Sequence, residues 1–203
     1  MASEWHWQHP LPQGNYITDI FFLDNNTGFM AGSAGTILKT TNGGAGWEYV
    51  SNNIEDNLES VFFISETTGW VAGGGIYFTD DGGQTWQTQH EDSSYYYYIY
   101  DVFFHDSNNG WACGSWGYLL KTTDGGQTWT EVNNPATREL YNITFTDANH
   151  GYATGVYDYE NYNEGYIYTT DGGQTWQTTF FTGNTFYDMF LLDNNTGWMS
   201  GWK

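Results

Sequence analysis

Apolar residues along this chain come in short runs, each cut off by a cluster of Gly, Asn and Asp. The stretch "NLESVFFISETTGWVAGGGIYFTDDGG" (57–83) is typical: aromatic and β-branched residues alternate with polar ones until a turn cluster intervenes. A period of two predicts β-strands, and no stretch keeps a helical period over three turns. Within 99–132 the pattern predicts four strands, roughly at 99–105, 110–114, 118–123 and 128–132.

The pattern repeats along the chain. An apolar run, a polar turn, a Gly-aromatic pair and a second Gly recur as "FLDNNTGFMAG" (22–32), "VFFISETTGWVAG" (61–73), "VFFHDSNNGWACG" (102–114), "ITFTDANHGYATG" (143–155) and "LLDNNTGWMSG" (191–201). The first glycines are Gly28, Gly69, Gly110, Gly151 and Gly197, giving steps of 69−28 = 41, 110−69 = 41, 151−110 = 41 and 197−151 = 46. A second signature reads "TDDGGQTW" (79–86), "TTDGGQTW" (122–129) and "TTDGGQTW" (169–176), with a worn copy "TTNGGAGW" (40–47) and a trace in "SEWHWQHP" (3–10), aligned through Trp5. Repeats of about 40–45 residues with four strands each are the signature of a β-propeller. The expected fold is all-β: one β-propeller domain over 1–203, built of four-stranded antiparallel blades. Its five repeats fall at about 16–50, 58–90, 99–133, 140–180, and 187–203 joined with 3–10. The last blade takes two strands from the end of the chain and its outer strand from the beginning, and lacks a third strand. That gap predicts either self-association through the incomplete edge or a segment of a longer propeller.

The residues Thr79, Asp81, Gly83, Thr85 and Trp86 match the Asp-box, or BNR repeat. So do Thr122, Asp124, Gly126, Thr128 and Trp129, and Thr169, Asp171, Gly173, Thr175 and Trp176; the first copy departs at Asn42 and Gly46. With the Gly-aromatic half included, the repeat resembles the propellers of the photosystem II assembly/stability factor family and their extracellular bacterial relatives. The opening "WHWQHPLPQGN" (5–15) resembles the mature start of such bacterial members, and the resemblance covers essentially the whole chain after residue 3. It implies that the boxes lie at the propeller rim, away from the binding face. Asp81, Trp86, Asp124, Trp129, Asp171 and Trp176 are therefore expected to serve the fold, the Asp gathering turn N–H groups and the Trp pinning strands together.

Charge and composition narrow the function. Four basic residues (Lys39, Lys121, Arg138, Lys203) stand against 24 acidic ones, for a net charge of −20. This argues against nucleic acid and anionic membranes as partners, since both are held through Lys and Arg. Sialidases, the best-known Asp-box enzymes, grip their substrate with three arginines, and Arg138 is the single one here. Xyloglucan hydrolases of this class use two large propellers, more than 203 residues supply. No catalytic residue is assigned, although a chance carboxylate pair keeps a glycoside hydrolase as an alternative. The five histidines lack metal-ligand spacing, so no metal and no cofactor are expected. Asp158, Glu160 and Glu164 do not fit an EF-hand loop. Cys113, the lone cysteine, excludes an intrachain disulfide and reads as buried packing. No run of about 18 apolar residues occurs. "MAS" leads straight into fold-like sequence, as after removal of a signal peptide, and the resemblance to extracellular bacterial relatives implies a secreted, cell-surface or periplasmic location.

In a propeller the connections between strands two and three, and from strand four to the next blade, share one face. Two tyrosine-rich segments fall there, "YYYYIY" (95–100) and the insertion "YDYENYNE" (157–164). Tyr pairs a flat apolar ring with a hydroxyl and suits protein contacts or sugar stacking. The candidate binding residues are Tyr95, Tyr97, Trp116, Tyr157, Tyr159, Tyr162 and Trp202. The expected function is a non-catalytic protein-binding or scaffold propeller, with a glycan-binding module as the alternative.

Overall fold

A computed structural model describes residues 14–91, 97–158, 163–182 and 185–202. The first blade is β1 (Ile17–Phe22), β2 (Gly28–Gly32), β3 (Thr36–Thr40) and β4 (Glu48–Tyr49). The second is β5 (Leu58–Phe63), β6 (Gly69–Gly73), β7 (Gly75–Thr79) and β8 (Gln87–Glu91). The third is β9 (Ile99–Phe104), β10 (Gly110–Gly114), β11 (Leu119–Thr122) and β12 (Thr130–Glu131). The fourth is β13 (Asn142–Phe145), β14 (Gly151–Asp158), β15 (Asn163–Thr169) and β16 (Gln177–Thr182). The fifth has two described strands, β17 (Thr185–Asp193) and β18 (Thr196–Trp202). Strands pair antiparallel in chain order within every blade. This is the expected all-β architecture of four-stranded blades plus a partial one. The outer strand expected at 3–10, with Trp5, lies outside the described residues.

The Gly-aromatic motif is a packing device. Phe22, Phe63, Phe104 and Phe145 sit on the inner strands opposite Gly28, Gly69, Gly110 and Gly151 of their own blades. A Cβ on any of these glycines would lie 2.8, 2.4, 2.5 and 2.3 Å from the respective ring, so only glycine lets the ring settle there. The aromatic that follows the glycine then stacks on the phenylalanine of the next blade. Phe29 lies on Phe63 with centroids 3.5 Å apart, Trp70 on Phe104 at 3.4 Å, and Trp111 on Phe145 at 3.9 Å. The Asp-box tryptophan of the same blade meets each ring edge-on: Trp86 on Phe63 at 90°, Trp129 on Phe104 at 86°, Trp176 on Phe145 at 89°. Stacked and edge-on partners each add to the burial of a large apolar ring.

The boxes close the opposite ends of the strands. Asp81 Oδ1 accepts from Thr85 N–H at 2.9 Å and Oδ2 from Thr85 Oγ1 at 2.6 Å, and Thr79 Oγ1 donates to Oδ1 at 2.8 Å. Asp124 repeats this scheme with Thr128 and Thr122, and Asp171 with Thr175 and Thr169. These bonds, led by the threonine hydroxyls, hold the Asp81 and Asp171 carboxyls down at about 2. In the first blade Asn42 Oδ1 still accepts from Gly46 N–H, but Gly46 has no hydroxyl to add the second bond.

A second set of bonds ties the blades together near the axis. Asp19, Ser60, Asp101, Asn142 and Asp188 share one register (60−19 = 41, 101−60 = 41, 142−101 = 41, 188−142 = 46). Val61 N–H of the second blade donates to Asp19 Oδ2 at 2.8 Å. Ser60 Oγ donates to Asp101 Oδ1 at 2.7 Å, and Ile143 N–H of the fourth blade donates to Asp101 Oδ2 at 2.8 Å. Asp101 thus joins three blades. Burial pushes its carboxyl up to about 7, against the lowering pull of the bonds from Ile143, Ser60 and Val102, with Asp19 adding to the rise.

The stacking loosens at the fifth blade. Tyr152 and Leu191, the next pair in the series, line a cavity of about 190 Å³ between blades four and five. Trp198, which continues the aromatic series, is 60% exposed, and Phe22, which begins the phenylalanine series, is 41% exposed. Among the described residues Phe22 keeps its edge-on Trp47 at 5.8 Å, while Trp198 meets Phe190 of its own blade.

Two predictions follow from this packing. Phe104→Ala removes a fully buried ring and should cost about 3–5 kcal/mol in urea denaturation, whereas Phe22→Ala, half open to solvent, should cost well under half as much. Equal losses would refute the stack as the main tie between blades. Asp101 binds a proton in the folded state that it has released when unfolded, over the range from pH 4 to about 7. Its contribution to stability therefore falls as pH rises through that range. Asp101→Asn should flatten this part of the pH–stability curve, so that the variant gains on the parent between pH 4.5 and pH 8.

Candidate functional site

The inner strands share an irregularity that the repeat carries from blade to blade. In β1 the pairing jumps from Ile17 to Asp19, in β5 from Leu58 to Ser60, in β9 from Ile99 to Asp101 and in β17 from Phe186 to Asp188. Each jump leaves one extra residue: Thr18, Glu59, Tyr100 and Tyr187. In the fourth blade β13 begins at Asn142, and Tyr141 takes the same position just before it. A β-bulge re-aims the side chain it carries. Here the five residues gather with the Asp19 series around one cavity of about 260 Å³, to which all five inner strands contribute. The inner strands converge on this space, here called the channel mouth.

The second glycine of the motif makes room for the bulge. A Cβ on Gly32, Gly73 or Gly114 would lie 2.1, 1.9 and 1.9 Å from the carbonyl oxygens of Tyr16, Asn57 and Tyr98, which precede the bulges. Loop bonds then fix the rim: Ser33 N–H donates to Tyr16 O, Gly35 N–H to Asp56 O and Ser115 N–H to Tyr98 O.

Tyrosines follow one another round this rim. Tyr98 and Tyr100 have ring centroids 5.6 Å apart, Tyr100 and Tyr141 5.6 Å, and Tyr141 and Tyr187 5.1 Å. The Tyr98 hydroxyl donates to Glu59 Oε1 at 3.1 Å and to Asn57 O at 3.0 Å. Burial, helped by Glu59, raises the Tyr98 phenol well above its usual range, and burial with Glu139 raises Tyr100. Burial likewise raises Asp19, with Asp188 adding to the effect. Apolar rings come next below the polar ring: Phe21 meets Phe62 at 5.1 Å, and Phe62 meets Phe103 at 5.2 Å.

The residues singled out from sequence are more scattered. Trp116 is 55% exposed on a tight loop, held at a left-handed φ of 58°. Tyr97 is half-buried and stacks on Tyr118 at 4.2 Å, so it supports the loop from within. Trp202 is 76% exposed, and its backbone pairs with Thr185 at the start of β17. The insertion is a hairpin, with Tyr157 opposite Glu164 and Asp158 opposite Asn163. Tyr95, Tyr159 and Tyr162 lie outside the described residues. Cys113 is buried, its thiol donating to Leu140 O at 3.2 Å. Among the described residues no group of three or more His, Cys, Asp or Glu is arranged to hold a metal ion. Of the rim tyrosines, Tyr98 and Tyr100 belong to the tyrosine-rich segment 95–100 without being among its named candidates, and Tyr141 and Tyr187 lie outside both tyrosine-rich segments. Aligning the repeats column by column would have found the last three.

Residues 1–90 match the family described as photosynthesis system II assembly factor YCF48, and residues 167–178 match the BNR/Asp-box repeat. The photosystem II assembly lipoprotein Ycf48 of Synechococcus sp. (strain CC9902) is 30% identical over 117 residues, which are 55% of this chain and 35% of that protein. The chain spans 15% and 35% of the curated relatives it matches. Among solved structures, YCF48 from Cyanidioschyzon merolae superposes with a TM-score of 0.70 at 19% identity, covering 95% of this chain and 67% of that one. A YCF48 bound to a D1 peptide gives 0.55 at 18%, covering 95% and 92%. An ancestral GH74 enzyme shares the fold as well, at 0.68 and 20%, covering 88% of this chain and 26% of that one. The chain is thus an Asp-box β-propeller that resembles the photosystem II assembly factors.

Proposed function

We propose that this chain is a non-catalytic protein-binding propeller that receives an extended segment of its partner across the loop-rich face, over the mouth of the channel. The observation that carries this reading is the arc of tyrosines Tyr98, Tyr100, Tyr141 and Tyr187. Adjacent rings of this kind offer large, rigid contact area at low entropic cost, which is why aromatics concentrate in protein interfaces. The YCF48 that binds a D1 peptide supports it by likeness of fold. Asp101, the most perturbed carboxyl in the channel, is engaged by Ser60, Val102, Asn142 and Ile143 and serves to join blades. A location outside the cytoplasm is part of this proposal, and the likeness to a lipoprotein relative supports it.

A second reading concerns the open seam. Trp198 and Phe22 are the two ends of the stacking series, and β18 is the last described strand of its sheet. Exposed aromatic faces beside a strand edge favour association with another chain, and we propose self-association there.

Two experiments test these readings. Peptides selected against the protein from a random display library should protect the rim in hydrogen exchange, and Tyr141→Ala or Tyr187→Ala should weaken them at least tenfold, while Asp124→Ala on the far face leaves them unchanged. Protection confined to the Asp-box turns would sink the first reading. Light scattering should show a concentration-dependent dimer or larger species that Trp198→Arg abolishes; a strict monomer at high concentration rules out the second.

A further inference from the structure

The channel mouth has a chemical bias of its own. Three hydroxyl donors at or beside it are already engaged by the protein: Thr18 Oγ1 donates to Leu58 O at 2.6 Å, Ser60 Oγ to Asp101, and the neighbouring Tyr98 hydroxyl to Glu59 and Asn57. What borders the cavity is rich in acceptors. Asp188 receives Met189 N–H on Oδ1 at 2.8 Å, and Glu59 receives the Tyr98 hydroxyl. Asn142, bound through its NH₂ to Asp101, has a buried Oδ1 that meets no donor.

No residue lining the cavity is basic. Lys39 and Lys121 are committed on the other side of the ring. Lys39 Nζ lies over Phe29 and donates to Gly82 O, and Lys121 Nζ lies over Trp111 and donates to Gly172 O. Arg138, on the loop before β13, has an interaction of its own. Carboxylates and tyrosine faces are therefore left facing a space of about 260 Å³. That is below the roughly 300–1,000 Å³ of small-molecule pockets, and it suits a single side chain.

We propose that the channel mouth is a receptor for a cationic side chain, carried by the partner segment that crosses this face. Glu59 and Asp188 supply the counter-charge, and Tyr100, Tyr141 and Tyr187 supply ring faces. Arginine fits this set best: its guanidinium is planar, stacks on aromatic rings and presents several donors at once. The inference rests on the protein-binding reading above. A cation in this position also lowers the mutual repulsion that Asp19 and Asp188 impose on each other.

The test uses the full chain and four capped pentapeptides of sequence Gly-Ser-X-Ser-Gly, with X arginine, lysine, citrulline or norleucine. Binding is followed by calorimetry at low and moderate salt and by amide chemical shifts. The arginine peptide should saturate at low millimolar concentration or tighter, shift amides of the inner strands, and weaken as salt rises. Citrulline, which keeps the shape and loses the charge, should bind at least tenfold more weakly. Glu59→Gln and Asp188→Asn, each confirmed folded by an unchanged melting curve, should each weaken the arginine peptide several-fold. Lysine binding as well as arginine still supports a cation receptor, and lysine binding less well assigns the planar group. Equal binding of citrulline, absence of saturation at 20 mM, or indifference to both substitutions overturns the proposal. If display-selected peptides still protect the rim in that case, only the cation preference falls; if rim protection is absent too, the protein-binding reading falls with it.

Discussion

The structure depends on one wedge: an inner-strand phenylalanine held between a glycine of its own blade and an aromatic ring of the blade before it. The glycine is required because a Cβ would lie within 2.8 Å of the ring at each of the four sites. The ring matters because it stacks on the neighbouring Phe29, Trp70 or Trp111, with centroids 3.4–3.9 Å apart. Each blade therefore offers a socket on one side and a plug on the other. Neither is satisfied alone, which is why the repeat has meaning only in an array. The three core clusters each draw residues from adjacent blades, so burial is distributed along the seams between blades.

The same regularity builds the site. A bulge at a fixed register turns one residue of four inner strands toward the axis, Tyr141 takes the same place just before β13, and the second glycine of the motif lets the backbone pass close enough for the bulge to form. The scaffold holds the position while the residue placed there varies: Thr, Glu, Tyr, Tyr, Tyr. Acidic side chains serve three ends in this one chain, sorted by surroundings. Those in the boxes lie half-buried at the surface and are held ionised by threonines. Asp101 is enclosed and held near neutrality while it joins blades. Those at the mouth face open space beside tyrosines.

Much of this could be read from the chain before any coordinates. Blade number, strand order and the box turns follow from period, alternation and Gly/Asp clusters, and the third-repeat strands fall within two residues of their expected limits, at 99–104, 110–114, 119–122 and 130–131. The site was less legible for a physical reason. A bulge adds one residue to a strand and so breaks the period-two rule that assigns side chains to faces. Tyr100 and Tyr187 consequently read as ordinary strand positions. Exposure misled in the other direction: Tyr97 sits in the most tyrosine-rich stretch, yet it is spent on stacking against Tyr118. What the sequence did contain, unread, was a column at step 41, Asp19, Ser60, Asp101 and Asn142, whose polar character on an inner strand makes sense only if those strands meet around an axis.

An array built from plugs and sockets cannot have two equivalent ends. The first blade presents the socket side of Phe22 with Trp47 already in place, and the fifth presents Trp198 as a plug. The axial bonds show the same polarity. Asp19 reaches forward to Val61, Ser60 to Asp101 and Asp101 to Ile143, each toward the next blade in the chain. Asp188 holds Met189 of its own blade. Whatever meets these ends must respect that direction: Trp198 seeks a phenylalanine lying on glycine, and Phe22 seeks an aromatic that follows one. A blade of the same repeat satisfies either end, whereas an unrelated flat surface satisfies neither. The two exposed aromatics are therefore specific in a way that their exposure alone does not convey, and the charge of −20 adds a further constraint. Long-range repulsion between like chains opposes association at low salt and fades as the Debye length shrinks. In the proposed self-association, contact between such ends would be governed by stacking at short range, so that raising the ionic strength would strengthen it, the reverse of what is proposed for a cation in the channel mouth.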